Sequence, residues 1–376
     1  MNPSQLYLER VEKIKKTIAF ENSGVTTTYM GIATPAKHMS IPMKTFASDP
    51  EIYLEASLKY INEINSIVPI DCINSFGAGG INVLLTTLWL SKVKMPGREL
   101  PDDSLWQVDE KKVMEDSDYD LAIEKGYAAL SQKILPKVID MNELMSFVDY
   151  NQKNGARHAE IIMQNNYPVL VSNALFSPPF EVLCGARSMS QFFMDCYKLP
   201  EKVKDTLDAI YPELKSQFEA TLALGANMGA WIGGWRGASA LVSPKIWDNF
   251  VWPYMYDSAM TCLKHNVIPI FHLDQNWDRD IERFKEMPAK SCVLNTDGMT
   301  NLANARKKLG EHAAFMGDVP APLLATGSEQ DVKDYVNKLL DDIGPKGVFI
   351  TAGCDAPQNA KFENMVAMFQ AASDYK

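Results

Sequence analysis

No run of roughly 18 or more apolar residues occurs in the chain, so nothing in it reads as a membrane-spanning helix. The six cysteines (Cys72, Cys184, Cys196, Cys262, Cys292, Cys354) are scattered, with no CxxC pair and no framework spacing. That argues against a disulfide scaffold and leaves reduced thiols, one of them a candidate ligand. Positive charge is also short: 37 Lys and Arg face 47 Asp and Glu, for a net charge of -10. Nucleic-acid binders carry a basic stripe, and none is visible. Residues 1–16 are charged and amphipathic and lack the apolar core of a signal peptide. The expectation is a cytoplasmic protein with neither nucleic-acid nor membrane partners.

No internal repeat or low-complexity tract appears. What recurs instead is a short apolar run ending in Gly, Asn, Asp or Pro, followed by a longer helical pattern, which is a βα signature. Eight strands are expected, at 27–32, 70–75, 168–172, 227–232, 268–272, 292–296, 314–317 and 347–351. Eight parallel strands close into a barrel more naturally than they form an open sheet, because closure leaves no exposed edge. A doubly wound sheet is the rival, but the first strand is not followed by the glycine-rich turn that a nucleotide fold needs. The nearest candidate, Gly-Ala-Gly-Gly at 77–80, follows the second strand, lacks a phosphate-loop Lys and reads as a packing turn. At 376 residues, with 46% hydrophobic and 22% charged residues, one domain over 1–376 is expected. The fold class is α/β, a single (β/α)8 TIM barrel with an N-terminal extension. A helical and loop insertion at 92–167 lies between strands two and three.

Two helix starts carry local signals. Ser48-Asp-Pro-Glu51 and Ser328-Glu-Gln-Asp331 each put a capping residue and early acid ahead of helical apolar spacing, and Gly344-Pro345 stops the second helix.

In a barrel the carboxyl ends of the strands face the active site. Strand three runs to Asn173 and then Ser177-Pro-Pro-Phe-Glu181, and strand four to Trp231-Ile-Gly-Gly-Trp-Arg236. The later strands end in His272-Leu-Asp274, Asn295-Thr-Asp297, Asp318 and Cys354-Asp355. His272 and Asp274, two apart on a strand, share one face. With Asp297 and Cys354 they bring an imidazole, two carboxylates and a thiol to one mouth, a set that suits Zn2+. The plainer readings are that Cys354 is a buried core thiol, that Asp318 ends a strand, and that Arg236 pairs with a carboxylate rather than an anionic substrate. Glu181, after Pro-Pro-Phe, is either a general acid beside an apolar wall or a first-turn helix acid. Phe176, Phe180, Trp231, Trp235 and Met228 suggest a cavity for a flat, hydrophobic or aromatic molecule.

The ordered series Gly233-Gly-Trp-Arg-Gly237, Ser243-Pro-Lys-Ile-Trp247, Trp252-Pro-Tyr254, Phe271-His-Leu-Asp274, Asn295-Thr-Asp297, Gly317-Asp-Val319, Gly353-Cys354 and Glu363-Asn364 resembles the uroporphyrinogen decarboxylase superfamily. Its members are (β/α)8 barrels and include corrinoid-dependent methyltransferases. The porphyrinogen decarboxylases of that superfamily carry an amino-terminal Arg-Gln-Ala-Gly-Arg-Tyr stretch that grips carboxylates. This chain has no Arg between Arg10 and Arg98, which disfavours a polycarboxylate substrate. The methyltransferase branch holds zinc with a His-x-Cys pair and a later Gly-Cys. His272 and Cys354 match, while Asp274 stands where the second thiolate would be, a harder ligand that suits polarising an ether or phenolate oxygen.

The resemblance thus implies methyl transfer from a methoxylated aromatic donor to the cob(I)amide of a separate corrinoid protein, an O-demethylation. Metal ligands would be His272, Asp274 and Cys354, with Glu181, Asp297 and Arg236 as catalytic residues. The chain lacks an Asp-x-His-x-x-Gly corrinoid signature, so the cobamide (cobalamin-type) cofactor arrives on that partner. A metal-free decarboxylase or lyase, and a non-catalytic barrel binding a tetrapyrrole or aromatic ligand, are the alternatives. Met365, Val366, Met368 and Phe369 read as the last barrel helix rather than a subunit face, and a homodimer stays open.

Overall fold

Local chemistry starts the helices where expected. Asp49 accepts hydrogen bonds from the N–H groups of Glu51 and Ile52, with Pro50 in the first turn, and opens helix Pro50–Ile67. Ser328 and Asp331 cap each other reciprocally at the head of Glu329–Ile343, which Gly344 ends at φ 75°.

The computed structural model describes residues 3–74, 78–171, 174–225 and 227–376. Its strands are β1 (Thr26–Tyr29), β2 (Cys72–Asn74), β3 (Val93–Lys94), β4 (Gln107–Val108), β5 (Val169–Val171), β6 (Leu175–Phe176), β7 (Gly229–Gly234), β8 (Ile268–Leu273), β9 (Val293–Thr296), β10 (Ala314–Val319) and β11 (Val348–Ala352). All but β3 and β4 join one sheet in the order β5-β2-β1-β11-β10-β9-β8-β7-β6, and every pairing in it is parallel. The two edge strands, β5 and β6, are neighbours in the chain. The sheet therefore curls back on itself into a large, nearly closed parallel barrel with helices outside.

Each of the eight expected strands overlaps a strand of the sheet, whose ninth member, β6, lies beyond the expected end of the third. The first ends at Tyr29 rather than at position 32, and the fourth begins at Gly229, so Asn227 and Met228 precede it. Asn173, Ser172, Ser75 and Gly77 lie outside the described residues. At Gly79 a Cβ would stand 2.4 Å from the Pro50 backbone, which fits a packing role for the glycine turn.

Side chains alternate across the barrel wall as the period of two requires. Trp231, Ile270, Val293, Met316 and Phe349 belong to an inner cluster. Their neighbours Ile232, Phe271, Leu294, Phe315 and Ile350 face the helices. The inner cluster also contains Ile14 and Ile18 of helix Gln5–Ile18, together with Phe20. This helix plugs the barrel interior from the amino ends of the strands.

The stretch between β2 and β5 holds the antiparallel β3–β4 ribbon and helices Ser117–Val138 and Met141–Gln164. Glu213, on helix Pro200–Ala223, accepts hydrogen bonds from the N–H groups of Tyr127 and Ala128 and ties this stretch to the outer layer. No helix among the described residues is long and apolar enough to cross a membrane.

Candidate metal centre at the strand ends

His272 lies two residues beyond inward-facing Ile270, and Asn295 two beyond inward-facing Val293. The β8–β9 register sets His272 directly opposite Asn295. The Asn295 Nδ2 amide donates to the carbonyls of Met316 and Gly353, at 3.1 and 3.2 Å. Only its Oδ1 is then left to face the imidazole, 2.5 Å from His272 Nδ1. Nδ1 must carry the proton in that contact, so in the neutral ring the lone pair sits on Nε2.

Two further donors meet that lone pair. Asp274 Oδ1 is 3.4 Å and Cys354 Sγ 3.6 Å from Nε2. The ligand atoms of His272, Asp274 and Cys354 all lie within 4.8 Å of one another. Asp274 Oδ1 is buried, and only the other two cluster residues, His272 and Cys354, approach it with polar atoms among the described residues. Electron pairs from N, O and S converging on one point, one of them from a buried carboxylate oxygen with no partner outside the cluster, fit a bound cation. Zinc suits this donor set.

Of the six cysteines only Cys354 is exposed, against the core reading for that residue; the other five are buried. Although the residue as a whole is exposed, its sulfur is turned towards buried His272, and there desolvation, followed by the charges of Asp274 and Asp355, pushes the thiol well above its ordinary range. A cation bound beside the sulfur reverses that bias by stabilising the thiolate. Cys354 can approach because Gly353 has no side chain: a Cβ there would sit 2.8 Å from the Asp297 carbonyl carbon and oxygen. Asp355 accepts from the Ile32 N–H and anchors the same loop to the segment after β1, and burial pushes its carboxyl up to about 7.

Aromatic rings wall the cluster. Trp231 stacks on His272, with centroids 4.3 Å apart and planes 11° apart. Trp235 meets the imidazole at 6.1 Å and 61°. Its ring folds back over Gly233, whose Cβ position it would overlap at 1.9 Å, and Gly233 pairs with His272 across the strands.

The remaining expected site residues lie outside the ligand set, Asp297 beside it. Glu181 is buried and accepts the N–H groups of Arg236 and Gly237 at 2.8 to 2.9 Å. Burial raises its pKa while Arg236 and these N–H groups oppose the rise. Its oxygens are taken up by the loop after β7, so in this structure Glu181 anchors that loop. Arg236 bonds Glu110 at 2.5 Å and lies 3.9 Å from Glu181, so its carboxylates come from the chain itself and leave no unpaired charge for an anionic substrate.

Asp297 accepts from the N–H groups of Gln275 and Met299, so it shapes the loop carrying Asp274 rather than joining the ligand set. Phe176 packs on Phe218, and Phe180 on Phe192, both in the outer layer away from the mouth, because their positions point towards helices. Met228 lies at the amino end of β7, opposite the strand end that leads to Trp235. A cavity of about 620 Å³ lined by Ala36, Lys37, Met43, Asp103 and Gln358 includes none of the cluster residues. Chemistry rather than volume identifies the centre. Asn295 was visible only as part of a motif; its signal was a polar residue set inward on the strand beside the His-x-Asp pair.

Residues 162–375 match the family described as uroporphyrinogen decarboxylase (URO-D). No curated protein matches the chain. Among solved structures, a methyltransferase from Methanosarcina mazei shares the fold, with a TM-score of 0.70 at 15% identity over 96% of this chain and 97% of that one. The matched segment exceeds half of the chain and contains His272, Asp274, Asn295 and Cys354, and the chain belongs to the uroporphyrinogen decarboxylase family.

Proposed function

We propose that this chain is the methyltransferase component of a corrinoid-dependent O-demethylase, moving a methyl group from a methoxylated aromatic donor to the cob(I)amide of a separate corrinoid protein. The scaffold is read as one (β/α)8 domain over 1–376. In that reading β5 and β6 are one interrupted strand and 92–167 is an insertion. The carrying observation is the convergence of His272 Nε2, Asp274 Oδ1 and Cys354 Sγ. The fold likeness to a methyltransferase supports transfer chemistry. The absence of Arg between Arg10 and Arg98 speaks against a polycarboxylate substrate.

His272, Asp274 and Cys354 would hold Zn2+, which when bound supplies Lewis acidity to the donor oxygen as its bond to the methyl carbon breaks. Asn295 keeps Nε2 of His272 available as a ligand. Trp231 and Trp235 exclude water from one side and offer flat apolar surface to an aryl ring. The methyl group leaves its electron pair on the oxygen, giving a phenoxide, and passes to the partner's cobalt.

Metal analysis combined with a spectrophotometric assay of reduced corrinoid protein against methoxyarenes tests this. The expected result is about one zinc per chain, activity lost on chelation and restored by zinc, and a His272→Ala variant that neither retains zinc nor transfers methyl. A metal-free, fully active protein overturns it.

A further inference from the structure

Trp89, the last residue of helix Ile81–Trp89, comes from the segment after β2, ahead of the region matched to the family. Its indole meets that of Trp235 at 5.0 Å with an interplanar angle of 85°. Trp235 in turn abuts His272. Both residues are half-buried, and the Trp89 Nε1 itself is buried with no hydrogen-bond partner among the described residues. Two rings at right angles make a corner walled by a face of each, so that a third ring stacked on one turns its edge to the other. A flat aryl ring can satisfy both at once, whereas a saturated ring of the same size gains only apolar contact.

The corner is braced from behind. The Arg236 guanidinium lies over the Trp89 ring at 4.7 Å, and Glu110 and Glu181 hold and neutralise it. Glu110 belongs to the stretch between β2 and β5, so that stretch helps fix the position of Trp89. Arg236 acts here as a positioning residue.

We infer that Trp89 and Trp235 form the recognition corner for the aryl ring of the methyl donor, and that Trp89 sets the preference for aromatic over saturated methyl ethers. The inference rests on the methyl-donor reading above for what the ring carries, but ring recognition can be measured without methyl transfer.

The experiment is calorimetric titration of the full chain with methoxybenzene and with methoxycyclohexane, using wild type, Trp89→Met and Trp89→Phe. Wild type is expected to favour methoxybenzene. Trp89→Met should lose about fivefold in affinity for methoxybenzene and little for methoxycyclohexane, and Trp89→Phe should keep most of the preference. Equal affinity of the two probes for wild type overturns the inference and needs no variant. An undiminished preference in Trp89→Met overturns it as well. If wild type discriminates between the probes yet releases no phenol when reduced corrinoid protein is supplied, the recognition corner stands and the methyl-transfer reading fails.

Discussion

Asn295 joins three strands through one side chain: its oxygen meets His272 on β8, and its amide nitrogen reaches carbonyls on β10 and just beyond β11. A donor at the Nδ2 position is what forces the oxygen towards the imidazole. Replacing Asn295 with Ala removes the partner that orients His272, and orienting partners of this kind are worth about 10- to 100-fold in metal affinity. Asn295→Ala should therefore bind zinc about that much more weakly in a chelator competition. Asn295→Asp keeps an acceptor for Nδ1 but loses both donations, and should fall between the two. Equal zinc affinity in all three proteins would show that the bond does not orient the ligand.

Strand ends made much of the site legible. His272 and Asp274 could be paired from the period of a strand, and Cys354 from its place after the last apolar run. Pairings across the barrel could not be read, because they depend on register. Nothing in the sequence around Glu181 says that two N–H groups 55 and 56 residues away will occupy it. The facing of Phe176 is hidden for a related reason: a two-residue strand is too short for alternation to show which face is which. The close approach of β11 to β9 also emerges only in space. Gly353→Ala would press a methyl group against the Asp297 backbone, which has no rotamer with which to yield. It should cost about 1 to 3 kcal/mol by thermal denaturation and lower zinc occupancy, since Cys354 is the next residue. A stable variant with full zinc would show that the loop has slack.

For the whole molecule, Asp318 links pH to stability. It ends near the top of β10, accepts the Tyr335 hydroxyl at 2.9 Å, and burial pushes its carboxyl up to about 6. Below about pH 4 the group is neutral folded and unfolded alike and carries no penalty. Between about pH 4 and pH 6 the unfolded chain has given up this proton while the folded chain still holds it, and roughly 2 to 3 kcal/mol of stability is lost across that window, complete once the folded group ionises above about pH 6. Asp318→Asn keeps an acceptor for Tyr335 and removes the titration. The variant should melt higher than wild type at pH 8, with the gap closing towards pH 4. A constant gap across that range would assign the effect to packing.

With Ile14, Ile18 and Phe20 seated among the inward side chains, the described residues fill the amino end of the barrel and leave the strand ends that carry the cluster as the way in. A small methyl donor and a bulky cobalt carrier would have to share it. Under the methyl-transfer proposal arrival would have a compulsory order: the small molecule would enter first, the carrier would close the opening behind it, and the demethylated product would leave only after the carrier had gone.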